Sequence, residues 1–139
     1  MGPQGTAGIR GFTPAQKGQF NKVMQGLVVR AQSAAAVGTL RVSVDSGVFM
    51  QGGVLHDVYE HAYAFALEAA DATNPRKDLV QVSKYTRQFV MSVKTGTAAA
   101  VPTPPAADFG SIPIAVVTVI ANGTTLRYWD IDNSIRPAV

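Results

Sequence analysis

The 139-residue chain has no cysteine, which removes disulfides, thiolate zinc sites and cysteine nucleophiles from its possible chemistry. It needs no staple, because a chain of this length buries about 68–70% of its unfolded surface. Histidine is nearly as scarce. His56 and His61 would lie on opposite sides of a strand and on diverging faces of a helix, so they do not chelate one ion, and no metal or cofactor is expected. No apolar run reaches the roughly 20 residues that span a bilayer, and no basic-then-apolar leader opens the chain. The expectation is a soluble chain made in the cytoplasm, with no membrane partner.

Charge is also sparse, at 15% of residues. Acids are absent from the first 44 residues, which hold Arg10, Lys17, Lys22, Arg30 and Arg41 and carry +5; the remainder sets seven bases against nine acids and carries −2. A basic arm beside an acidic body suits docking on an acidic protein, another copy included, better than on nucleic acid; a merely solvated basic segment is the plainer reading. Nucleophile elbows, phosphate loops, zinc-protease helices and dinucleotide fingerprints are missing. Asp130 and Asp132, the closest carboxylate pair, could take calcium or act on a glycoside only in environments that drive their pKa values apart; otherwise they are a solvated strand end. No catalytic residue is expected.

What is present reads mainly as β. Gly2, Gly5, Gly8 and Gly11 recur every third residue, a triple-helix period too short to hold alone and better suited to a flexible glycine-rich tail. Thr13-Pro14 with Gln16 signals a helix start, and Phe20, Val23, Met24, Leu27 and Ala31 follow helical spacing, predicting one α-helix in an N-terminal unit of residues 1–38. A body over residues 39–139 follows. Leu40 to Val44 alternates, Asp45-Ser46-Gly47 turns, and Val48 to Gln51 returns, predicting a hairpin before the Gly52-Gly53 turn. Large odd positions from Tyr59 to Leu67 predict a strand. Asn74-Pro75 forces a turn, and Arg76 and Asp78, two apart in extended chain, share a face where they can brace it. Leu79 to Ser83 and Thr86 to Val93 predict two more strands. Residues 97–107 form a proline-rich strap, extended by Pro102, Pro104 and Pro105. Ile112 to Ile120 predicts a central strand, and Asn122-Gly123 a hairpin turn with Thr125 to Ile131 returning. The fold expected is an antiparallel β-sandwich, jelly-roll-like, behind an extended arm and one helix.

The order Asn74-Pro75-Arg76-Lys77-Asp78-Leu79-Val80, Lys94-Thr95-Gly96-Thr97, Pro102-Thr103-Pro104-Pro105, Ile114 to Val119, Asn122-Gly123-Thr124-Thr125 and Ile131 to Arg136 resembles a module of tailed-bacteriophage virion proteins, found in fibre, baseplate and head-surface components. The likeness covers roughly the C-terminal two thirds of the chain and rests on the succession of short motifs. Lys77 stands where the family pattern has an aliphatic, and Asn133 and Ser134 lengthen the last motif. The resemblance brings no catalytic residues. It implies a non-enzymatic virion structural protein assembled in the host cytoplasm. The role first in line is a capsid decoration or cement protein, ahead of baseplate or tail or head-fibre attachment. Its partners would be copies of itself, as a trimer or dimer, and the major capsid protein or another virion protein. Arg10, Phe12, Phe20, Met24 and Leu27 are the candidate interface. The alternative from another class is a carbohydrate-binding β-sandwich in which Tyr128 and Trp129, with Tyr63, stack on sugars; core packing of these aromatics is the competing reading.

Overall fold

Lys22–Gly26 and Val29–Ala31, expected to be helical, are strands. The computed structural model describes residues 21–32, 40–58, 63–85 and 88–137, and within them the chain is mainly β, in antiparallel sheets. The glycine triplets, Thr13 to Phe20, and with them Arg10 and Phe12, lie outside the described residues. Helical geometry among the described residues is a single 3-10 turn, Tyr128–Asp130.

Strand β1 (Lys22–Gly26) pairs with β4 (Gly47–Gln51), and β2 (Val29–Ala31) pairs with β3 (Arg41–Val44). Gly26 faces Gly47 and, three residues on, Val29 faces Val44, so both pairings belong to one ladder. The two stretches form a single ribbon that bends in its middle. Leu27 N donates to Ser46 O at 3.2 Å and Asp45 N to Val28 O at 3.0 Å, carrying the ladder around the corner. There Gly26 and Leu27 take φ values of 65° and 54°. A Cβ on Gly26 would sit 2.3 Å from Ser46 O, and one on Gly47 2.3 Å from Gln25 O, so the corner requires glycine at both places. Leu27 tolerates the left-handed conformation because its side chain is wholly buried. The hairpin expected between Leu40 and Gln51 is therefore not one: Asp45-Ser46 is the outer side of a bend, and the partner of both halves is the segment read as helix.

The true hairpin follows at Gly52-Gly53, whose φ values of 60° and 82° give the turn that matches strand twist. It leads into β5 (Val54–Val58), which pairs with β4, while β6 (Tyr63–Ala66) pairs with β3. Residues 59–62 of the predicted strand lie outside the described set. Two three-stranded sheets result, β1-β4-β5 and β2-β3-β6.

The third sheet has the order β10-β9-β7-β8, built from β7 (Arg76–Tyr85), β8 (Gln88–Lys94), β9 (Ile112–Val119) and β10 (Ile131–Asp132). The apolar run at Ile112 to Val119 is interior to it, as expected. Val80 faces Ala115 but Gln81 faces Pro113, so Ile114 is an extra residue, and the proline sits at a bulge where its missing N–H is harmless. After Val119 the chain turns at Asn122 (φ 54°), with Gly123 N donating to Ile120 O at 3.1 Å, but the returning strand is only Ile131–Asp132. The segment from Thr125 to Arg127, expected to be strand, is irregular.

All three sheets contribute to one core, including Val23, Leu27, Val29, Val42, Phe49, Val58, Val82, Ile114 and Val117. Full burial of each such side chain stabilises by about 1.5–3 kcal/mol. The C-terminal segment locks β1 and β2 onto this core. Asn133 Nδ2 donates to Val29 O at 3.0 Å and its Oδ1 accepts from Val29 N at 2.9 Å, imitating a strand neighbour. Arg136 donates to Gly26 O, Leu27 O and Ile114 O, and Val23 N donates to Pro137 O at 2.7 Å.

Candidate functional site

Three constructions surround the four-stranded sheet: a buried ion pair at one end, a strap across its outer face, and an aromatic loop beyond the end of β9. The ion pair comes from the motif after the Asn74-Pro75 turn. Asp71 Oδ2 accepts from Thr73 N at 2.9 Å and Asn74 N at 2.8 Å, closing the turn and holding its own pKa below the usual carboxylate range. Strand alternation then sends Arg76, Asp78, Val80 and Val82 inward. Asp78 is fully buried and Arg76 is 5% exposed. Arg76 Nε donates to Asp78 Oδ1 at 3.0 Å, its Nη atoms reach Ala69 O at 2.6 Å and Glu68 O at 2.5 Å, and Gly96 N donates to Asp78 Oδ1 at 2.9 Å. The pair thus ties the 68–69 loop and the end of β8 to β7. It is closed to solvent and offers nothing to a ligand.

On the opposite face of β7, Leu79 and Gln81 are also buried, although neither faces the core. The proline-rich strap covers them. Ala99 N donates to Pro75 O at 3.0 Å where it begins; at its far end Gln81 Nε2 donates to Asp108 Oδ2 at 2.8 Å while Asp108 N donates to Gln81 Oε1 at 2.9 Å. Lys94 Nζ adds bonds to Asp108 Oδ1 at 2.9 Å and Ala106 O at 2.7 Å. Lys94, and after it Gln81, pull the Asp108 pKa below the ordinary value. A depressed folded pKa stabilises above the unfolded value of about 4 and is lost as pH falls through the folded one. Acidification below about pH 4 is therefore expected to loosen the strap. Thermal unfolding across that range checks this: Asp108→Asn should remove part of the acid-induced loss, and equal acid sensitivity in variant and wild type would contradict it.

The aromatic loop carries the stacking candidates. Arg127 precedes the 3-10 turn; its backbone N donates to Asp130 Oδ2 at 2.8 Å, and its guanidinium grips the same carboxylate through Nη2 to Oδ1 at 3.0 Å. That bond raises the Arg127 pKa further. The guanidinium lies 4.8 Å from the centroid of the Trp129 ring, and Tyr128 meets Trp129 edge-on, at 5.0 Å and 86°. Both rings are exposed, Tyr128 by 81% and Trp129 by 60%, so they are not core. Asp130 is buried and Asp132 exposed; Asp132 binds Ser134 instead, which lowers its pKa, so the two carboxylates form no joint site.

Among the remaining candidates, Leu27 is wholly buried and has no surface for a partner, whereas Met24 is half-buried. His56 packs its ring against Phe49, 5.1 Å between centroids. Phe20 and His61, and the side chain of Tyr63, are outside what the structure describes. No group of three metal-ligating side chains occurs among the described residues. Sequence reasoning missed Arg127, whose role depends on the 3-10 turn, and Phe109, fully exposed at the tip of a turn closed by Ser111 N to Asp108 O at 2.9 Å. Val54 and Leu55 on β5 are exposed as well, and Gln51 at the end of β4 donates to Gly110 O beside Phe109. No family model, curated protein or solved structure matches the chain.

Proposed function

We propose that the chain is a non-enzymatic structural protein of a tailed-phage virion, acting as a capsid decoration or cement protein. In this reading its sheets close as a jelly-roll-like sandwich, and the basic N-terminal arm bridges neighbouring shell subunits, with the protein itself assembled as a trimer. The observation that carries it is where the resembling motifs fall. Asn74 to Val80 lies at the turn into β7 and along it, Lys94 to Thr97 at the end of β8, Pro102 to Pro105 in the strap, Ile114 to Val119 in β9, and Ile131 to Arg136 in β10 and the C-terminal lock. They make one contiguous sheet with its strap and clamps, as the motifs of a single module should. Its chemistry is that of bracing. The carboxylates beside the motifs, Asp71, Asp108 and Asp130, hold a turn, a strap and a loop.

Exposed Val54, Leu55, Val101 and Phe109 give the body apolar surface for neighbours. Attachment adds buried area to the shell and stabilises it by linkage. The test is attachment of a variant lacking residues 1–13 to particles stripped of the protein. Weakened attachment by an otherwise folded variant is expected; unchanged occupancy would count against the bridging arm.

A further inference from the structure

The loop beyond β9 has the features of a ligand site that the assembly role does not use. One face of Trp129 is backed by Arg127, and its ring remains 60% exposed. Tyr128 stands at 86° to it, so the two rings form the walls of a right-angled notch. The notch is pre-organised, because Arg127 is held by two side-chain bonds and one backbone bond to Asp130, itself buried. Pre-organisation reduces the entropy lost on binding. At the start of the same loop, apart from the rings, lies a surface cleft of about 360 Å³ lined by Leu67, Ala70, Asn122 and Thr124. That volume falls in the range of small-ligand sites, and an apolar floor with a few polar groups is their usual lining.

Charge selects among ligands that stack. The Arg127 guanidinium is neutralised by Asp130, while the loop facing the cleft carries Glu68 and Asp71, both exposed. A polyphosphate backbone is repelled there, which disfavours nucleic acid. An uncharged ligand with a flat apolar face and many hydroxyls fits the rings. We infer that Trp129 and Tyr128, backed by Arg127, form a stacking shelf for a neutral pyranose of an oligosaccharide. This inference does not depend on where the protein is assembled.

Trp129 is the only tryptophan, so intrinsic fluorescence reports on this shelf alone. Full-length protein would be screened on an array of pyranose oligosaccharides, then titrated with the best of them, with cello-, malto- and chito-oligosaccharides, with oligothymidine and with a polyproline peptide. The expected result is a saturable change with at least one neutral glycan. Trp129→Ala, which lacks the reporter and is titrated by calorimetry, should weaken that glycan's binding at least about tenfold, equivalent to about 1.4 kcal/mol. Tyr128→Ala should weaken it several-fold, and neither should shift thermal unfolding, since both rings are exposed. Absence of any glycan binding by the wild-type protein, unaltered binding in Trp129→Ala, or a response confined to oligothymidine or polyproline would overturn it.

Discussion

Asp78→Ala is expected to destabilise the fold by about 3–5 kcal/mol, the usual penalty for breaking a buried ion pair from one side. The variant leaves Arg76 charged, 5% exposed and without its counter-ion, and leaves Gly96 N without its acceptor. Against a total stability of about 5–15 kcal/mol for a domain, that is a large fraction. Arg76→Met should cost a similar amount by stranding the carboxylate, whereas the double variant should cost less than the sum, because neither charge is then buried alone. Urea denaturation of the four proteins gives the coupling energy directly. Strictly additive losses of under about 1 kcal/mol would show the pair to be incidental. The damage should also spread to the loop at 68–69, which Arg76 holds through two carbonyls and whose Ala69 lines the cleft with Asn122.

Arg136→Ala should be the second most damaging change, at about 2–3 kcal/mol, because carbonyls left without donors each cost about 1–3 kcal/mol where water cannot replace the bond. Arg136 is about half-buried, which lowers its pKa by desolvation, and it has no carboxylate partner among the described contacts. Its donors go instead to Gly26 O, Leu27 O and Ile114 O, with Asn133 Oδ1 as a fourth acceptor. The guanidinium thus binds the corner of the ribbon to β9. Lysine should not restore it, since a single ammonium cannot span three carbonyls fixed in different directions. Amide hydrogen exchange at Leu27 and Val29 should quicken together in Arg136→Ala. Unaltered exchange there would mean that the corner stands without its C-terminal lock.

That corner is also where the sequence misleads. Val23, Leu27 and Val29 all point into the core, at intervals of four and two. A regular strand would repeat every two residues, but the extra residue at Met24 and the left-handed pair Gly26 and Leu27 displace the pattern until it imitates a helical face. Asp45-Ser46-Gly47 reads as a turn for a related reason: Gly47 is demanded by the close approach of Gln25 O, not by a reversal of the chain. From Asn74 to Val119 local signals and long-range pairing agree, so the turn, β7 and β9 were legible. The Arg76–Asp78 pair was legible as neighbours on one strand face, but its burial and its hold on Glu68 and Ala69 depend on how the loop folds back. Tyr128 and Trp129 were visible as residues; the notch they form with Arg127 was not, because a 3-10 turn replaced the expected strand.

The central claim, that this body serves assembly and not turnover, is tested most directly by electron cryo-microscopy of intact virions assembled with the chain. The account predicts density for the bent ribbon and the four-stranded sheet at symmetry-related positions where shell subunits meet. Fully assembled particles carrying no copy of the chain would contradict it.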